Sequence, residues 1–213
     1  MINALLEQNV MIYAGSVNLA GKLVLPRSCR SAVIFAHGSG SSRHSPRNKF
    51  VAGKIQAAGI GTLLFDLLTP EEDSIYSNRF NIDLLAGRLT AATLWLWDRS
   101  EHEGFTMGYF GASTGSAAAL IAAAEMGPLI RTVVSRGGRP DLAGQTLPRI
   151  TASVLLIVGG NDHQVLQLNR DAYGRIKSEK ELAVVPNATH LFEEPGALEE
   201  VARLAVDWFT KRL

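Results

Sequence analysis

Ser113 lies in the string Gly111-Ala112-Ser113-Thr114-Gly115, a G-x-S-x-G pattern in which a serine on a sharp strand-to-helix turn offers its hydroxyl as a nucleophile. Such a string is short enough to arise by chance, so its setting matters. The apolar stretch Thr106 to Phe110 precedes it and the alanine-rich stretch Ala117 to Ala124 follows it, giving strand, turn and helix in the order the chemistry requires. Glycine two positions before and after the serine lets the strand and helix backbones come close together. A serine hydroxyl is a weak nucleophile near neutral pH. It needs an imidazole to take its proton and a carboxylate to orient and charge-stabilise that imidazole. His190 follows the apolar run Leu182 to Val185 by a short loop, and Asp162 follows Val154 to Val158 through Gly159-Gly160-Asn161. The chain order Ser, Asp, His fits a nucleophile of this kind. Asp66, ending the run Thr62 to Phe65, is the alternative carboxylate, whereas Glu193 and Glu194 read as solvated residues ahead of the last helix.

Acyl transfer also needs donors aimed at the oxyanion. One is the backbone N–H after the nucleophile, that of Thr114. The other is expected from the loop His37-Gly38-Ser39-Gly40, with the N–H of Ser39 assigned and that of Gly40 the alternative. His37 reads as a structural imidazole, since that loop contributes backbone groups. Arg136 and Arg139 follow a strand, and Arg43 follows the oxyanion loop. They form an electropositive rim that could position an anionic group of a substrate.

These residues must be carried by regular elements. Val10 to Tyr13 and Val17 to Leu25 read as an opening antiparallel piece. Continuous apolar runs follow at Ala32 to Ala36, Thr62 to Phe65, Thr106 to Phe110, Ile130 to Val134, Val154 to Val158 and Leu182 to Val185. Helical stretches lie at about Ser45 to Ala58, Asn81 to Trp97, the elbow to Met126, Val165 to Ile176 and Ala197 to Lys211. Buried strands alternating with helices predict an α/β class with a parallel sheet whose site lies at the carboxyl ends of the strands. No stretch after Asp66 or Ser135 is long enough for a large lid, so a shallow, open pocket is expected.

The 213 residues fit a single domain spanning 1–213, with residues 1–16 an N-terminal β segment. With 21 basic and 20 acidic side chains the formal charge is +1, too small a field to expect nucleic acid as a partner. Cys29 is the single cysteine, so an internal disulfide and a multi-cysteine metal site are excluded. The first ten residues have no basic side chain, and Glu7 interrupts them; a cytoplasmic protein without a membrane segment is expected. Gly38-Ser39-Gly40 lacks the third glycine of a dinucleotide loop, since position 43 is arginine. Nothing in the sequence requires a cofactor or metal.

His37-Gly38, the Gly111 to Gly115 string, Gly159-Gly160-Asn161-Asp162 and His190 together resemble the α/β-hydrolase superfamily. The compact layout and the string Ser135-Arg136-Gly137-Gly138-Arg139-Pro140-Asp141 resemble its dienelactone hydrolase-related branch. The resemblance runs from about residue 17 to the end. It implies a single-domain α/β-hydrolase fold, a mostly parallel twisted sheet with helices on both faces and no large lid. It also implies a Ser-His-Asp serine hydrolase acting on a small-molecule ester, thioester or lactone through an acyl-enzyme. The enzyme that names the branch has a cysteine nucleophile. This chain has Ser113, and Cys29 lies far from it in sequence, so dienelactone itself is not the expected substrate. The competing expectation is a catalytically silent hydrolase fold kept for binding or scaffolding.

Overall fold

The computed structural model describes residues 5–100 and 104–213. Its strands are β1 (Leu5–Ala14), β2 (Val17–Pro26), β3 (Ser31–Ala36), β4 (Gly61–Phe65), β5 (Thr106–Ala112), β6 (Ile130–Arg136), β7 (Ser153–Gly159) and β8 (Lys180–Val185). They make one sheet in the order β1-β2-β4-β3-β5-β6-β7-β8. The β1–β2 hairpin and the β2–β4 pair are antiparallel; every later pair is parallel. The helices are α1 (Pro46–Ala57), α2 (Pro70–Ser74), α3 (Ile82–Trp97), α4 (Thr114–Met126), α5 (His163–Arg175) and α6 (Ala197–Thr210).

Side chains on a strand alternate between faces, and here the alternation builds two cores. Ala32, Ile34 and Ala36 of β3 join Tyr109, Leu89 and Leu120 beneath α3 and α4. Val33 and Phe35 join Phe110, Val51 and Val201 beneath α1 and α6. Because both faces are covered, β3, β4 and β7 are buried at every position, which is why these strands read as unbroken apolar runs. The uncharged stretch from Gly104 to Ala124 is β5, a turn and most of α4. No helix among the described residues is long and apolar enough to cross a membrane. The expectation drawn from the first ten residues rests partly on residues 1–4, outside the described residues.

The structure departs from the sequence reading in two respects. β8 was expected to be a buried strand, but it pairs only with β7 and forms a half-exposed sheet edge, where Lys180 and Glu181 suit an unpaired flank. Short elements also fill segments read as loop: α2, a 3-10 turn at Tyr76–Phe80, and 3-10 turns across Pro140–Arg149. These turns are too short to display an apolar period. The signal available for α2 was its cap. Thr69 accepts from the Glu72 amide at 3.2 Å while Glu72 Oε2 accepts from the Thr69 amide at 3.0 Å, with Pro70 at the first helical position.

Candidate active site

Ser113 joins β5 to α4 with φ 51° and ψ −122°, a conformation that costs an L-residue on the order of 1–3 kcal/mol and persists only when the surroundings impose it. Two glycines impose it. A Cβ on Gly115 would lie 2.3 Å from the Ala36 carbonyl oxygen, and one on Gly111 would lie 2.5 Å from Ser116 Cα. Both positions therefore admit only hydrogen. The Ser113 amide donates to the Arg136 carbonyl at 3.2 Å, tying the turn to the end of β6.

Asp162 and His190 arrive on the loops after β7 and β8, adjacent strands beyond β6. The loop after β7 and the loop after β8 are cross-tied. The Asn161 amide donates to the Ala188 carbonyl at 2.9 Å, and Asn161 Nδ2 donates to the Asn187 carbonyl at 3.0 Å. A Cβ on Gly159 would meet the Ala188 carbonyl oxygen at 2.4 Å, so the Gly159-Gly160-Asn161-Asp162 string is what lets the two loops touch. The structure brings the two side chains together: His190 Nδ1 and Asp162 Oδ2 are 2.7 Å apart, with side-chain exposures of 39% and 15%. The carboxylate can accept only from a protonated Nδ1, which leaves Nε2 as the basic nitrogen of a neutral ring. Gly137, at φ 51° after β6, packs closely on this loop: a Cβ there would lie 3.1 Å from the His190 carbonyl oxygen. Asn187 and Phe192, flanking His190, have φ values of 61° and 55°. With Ser113, they account for three of the four non-glycine residues of positive φ among the described residues.

The sequence reading missed what holds this histidine loop. Glu194 Oε1 accepts from the Thr189 amide at 3.0 Å and from its hydroxyl at 2.6 Å. The Thr189 hydroxyl lowers the Glu194 pKa. Glu193 pairs with Arg47 at 3.1 Å. Glu193 is exposed, as expected of a solvated residue, but paired, while Glu194 is partly buried and tied to Thr189. Phe192, buried against the core beneath α1 and α6, anchors the loop from below.

On the other side of Ser113, the Ser39 amide donates to Thr114 Oγ1 at 2.9 Å. His37 is buried. Its Nε2 accepts from the Leu67 amide at 3.0 Å, so Nδ1 carries the proton and donates to the Gly38 carbonyl at 3.0 Å. Burial lowers its pKa, with the bond to the Gly38 carbonyl and then Asp66 and Asp73 pulling the other way. Asp66 does not serve His190; both its oxygens accept from Arg43, one from the amide at 2.8 Å and the other from the guanidinium. The segment from Pro70 to Phe80 holds α2 and a 3-10 turn, with Arg79 paired to Asp73. Ser39, Gly40, Leu67, Leu68 and Arg79 line a cavity of about 10 Å³ beside it, room for about one water.

The three arginines have separate fates. Arg43 is held by Asp66, and Arg139 makes a bidentate pair with Asp141 at 2.8 and 2.7 Å. Arg136 is buried, and its Nε and Nη1 have no partner among the described residues. Its guanidinium lies 6.0 Å from the Phe192 ring centroid. Burial first and the charge of Arg47 second push its pKa down to about 10.

No family model matches the chain. A curated protein of Mycobacterium tuberculosis, described as a "Putative phosphoribosyl transferase", is 55% identical over 207 residues, covering 97% of this chain and 47% of that protein. The chain thus spans about half the length of the curated relatives it matches. The crystal structure of a dienelactone hydrolase from Anabaena variabilis is 52% identical, covers 98% of this chain and 99% of its own, and superposes with a TM-score of 0.94. Est1E from Butyrivibrio proteoclasticus is 15% identical over 95% of this chain and 98% of its own, with a TM-score of 0.79, a likeness of fold alone.

Proposed function

Because the chain belongs to the dienelactone hydrolase family of α/β-hydrolases, we propose that it cleaves a small ester, thioester or lactone through an acyl-enzyme on Ser113. The 2.7 Å contact between Asp162 and His190, together with a serine held at positive φ on the strand-to-helix turn, is the observation that carries this reading. Ser113 Oγ adds to the substrate carbonyl carbon as His190 Nε2 takes its proton, and Asp162 stabilises the imidazolium through Nδ1–H. The carbonyl π electrons move onto oxygen, which faces the Thr114 amide at the start of α4. Collapse of this intermediate expels the alcohol, thiol or ring oxygen, which takes the proton from Nε2 and leaves Ser113 acylated. Water then adds to the acyl carbon as His190 Nε2 takes its proton, and collapse breaks the bond to Ser113 Oγ, which recovers the proton from Nε2 as the carboxylic acid leaves.

Arg136, alone among the three arginines in lacking a carboxylate partner, supports an anionic group on the substrate, since a buried guanidinium gains most from an opposite charge. The phosphoribosyl transferase description belongs to a relative about twice as long, and we assign that chemistry to the part of it beyond this chain's match.

The test is a fluorophosphonate probe, with the adduct located by mass spectrometry. Labelling is expected at Ser113, absent in Ser113→Ala and much slower in His190→Ala. A panel of neutral and anionic short-chain esters and thioesters then reports the substrate class. A protein that neither labels nor hydrolyses any member of the panel refutes the proposal and favours a silent binding fold.

A further inference from the structure

The assignment of Ser39 and Thr114 as two backbone donors meets an obstacle in the structure. The Ser39 N–H is already spent on Thr114 Oγ1 at 2.9 Å, and Thr114 is only 3% exposed. An amide aimed at a neighbouring hydroxyl is not aimed at a substrate oxygen, which leaves the Gly40 amide as the backbone alternative from that loop. The same bond uses the Thr114 oxygen as an acceptor and so leaves its O–H as a donor. That proton has no acceptor among the described residues. Thr114 is also the first residue of α4, where the amide has no intrahelical carbonyl to meet. One residue, next to the nucleophile, therefore holds two unspent donors.

We infer that the Thr114 hydroxyl, held and polarised by the Ser39 amide, is the second donor to the oxyanion, and that the Ser39 amide acts through it. The inference rests on the serine hydrolase reading above. An O–H that accepts from an amide is a stronger donor in turn, because bonds in a chain polarise one another. As negative charge gathers on the substrate oxygen, the bond from Thr114 becomes charge-assisted and short; the proton stays on the threonine throughout. Threonine suits the role better than serine because its branched Cβ restricts χ1 and holds Oγ1 in place.

The test compares Thr114→Val, which keeps the shape and removes the hydroxyl, with Thr114→Ser, which restores it. With an ester the wild type turns over, Thr114→Val is expected to lower kcat by about 10²-fold at a KM within about threefold, as loss of one oxyanion donor does. Thr114→Ser should recover kcat to within about fivefold of wild type. Should valine lower the melting midpoint, Thr114→Ala removes the hydroxyl without added bulk and carries the same expectation. An unchanged or raised kcat in the hydroxyl-free variants overturns the inference, because a backbone amide of the loop, that of Ser39 once freed or that of Gly40, would then be the second donor. A rise in KM alone overturns it too. A wild type that labels at Ser113 while Thr114→Val stays fully active sinks this inference and leaves the hydrolase reading standing; a wild type that neither labels nor turns over sinks both.

Discussion

The turn that carries the nucleophile and the loop that carries the histidine are built by opposite means. Around Ser113, backbone packs against backbone. Gly111 and Gly115 allow approaches that any Cβ would block, the flanking residues are buried, and the polar side-chain bonds at the turn, Thr114 with Ser39 and Ser116 with Ser135, are enclosed. Around His190, polar side chains bridge a partly exposed surface: Asp162 to the ring, Glu194 to Thr189, Asn161 to Asn187, Arg47 to Glu193. Close-packed backbone cannot absorb added volume, whereas an exposed polar loop absorbs volume but depends on charge and donor direction. Added volume at the turn should therefore act on stability, and altered charge or donor direction in the loop on catalysis.

The largest effect expected is in the loop. Asp162→Asn keeps the shape but supplies an amide that no longer selects the Nδ1–H tautomer. We expect kcat to fall by roughly 10²–10⁴-fold while the melting midpoint stays within a few degrees of wild type. Asp66→Asn, whose carboxylate serves Arg43, should leave kcat within severalfold. If the two results are exchanged, the acid belongs to Asp66. The turn supplies the counterpart. Gly115→Ala sets a methyl against the Ala36 and His37 carbonyl oxygens and should cost about 3 kcal/mol of unfolding free energy in urea, the upper range for overpacking. A loss below about 0.5 kcal/mol, within the spread of ordinary surface substitutions, would mean that the turn yields and that the contrast is false.

What could be read from the sequence follows the same division. The elbow was legible because glycine spacing and strand-to-helix order are local and steric. The sheet was legible because burial on both faces leaves unbroken apolar runs at β3, β4 and β7. Asp162 and His190 could be placed at strand ends, but the choice between Asp162 and Asp66 could not be closed. It depends on which loop crosses over which, and sequence spacing carries no record of that. Glu194 and Phe192 were missed because their roles arise only once the loop has folded back on Thr189 and on the core. The Thr114 hydroxyl was hidden behind its own backbone: the motif names the residue for its amide, and the partner at Ser39 lies 75 positions away. β8 was misjudged because a short run ending in two valines gives no sign that the sheet stops there.

The smallest effect expected separates the two regions by pH. His37 belongs to the buried side, 8% exposed, with both ring nitrogens spent in the neutral form on Leu67 and Gly38. Protonation would leave Nε2 carrying a hydrogen against the Leu67 N–H, so the folded state resists the proton. Its pKa is lowered chiefly by burial, against upward pulls from the bond to the Gly38 carbonyl and then from Asp66 and Asp73. The unfolded chain binds a proton near pH 6.5 and the folded chain does so only at lower pH. The contribution of His37 to stability is therefore complete above the unfolded value and is lost as pH falls through the window below it, with a slope approaching about 1.4 kcal/mol per pH unit. His37→Gln can accept from Leu67 through its carbonyl oxygen and donate to Gly38 through its amide nitrogen, without titrating. Urea unfolding at pH 7.0 and pH 5.5 should show the wild type losing more stability on acidification than this variant. Groups common to both proteins cancel in the difference. Parallel pH profiles would mean that His37 is not held neutral and that the buried side of the site gains nothing from its imidazole.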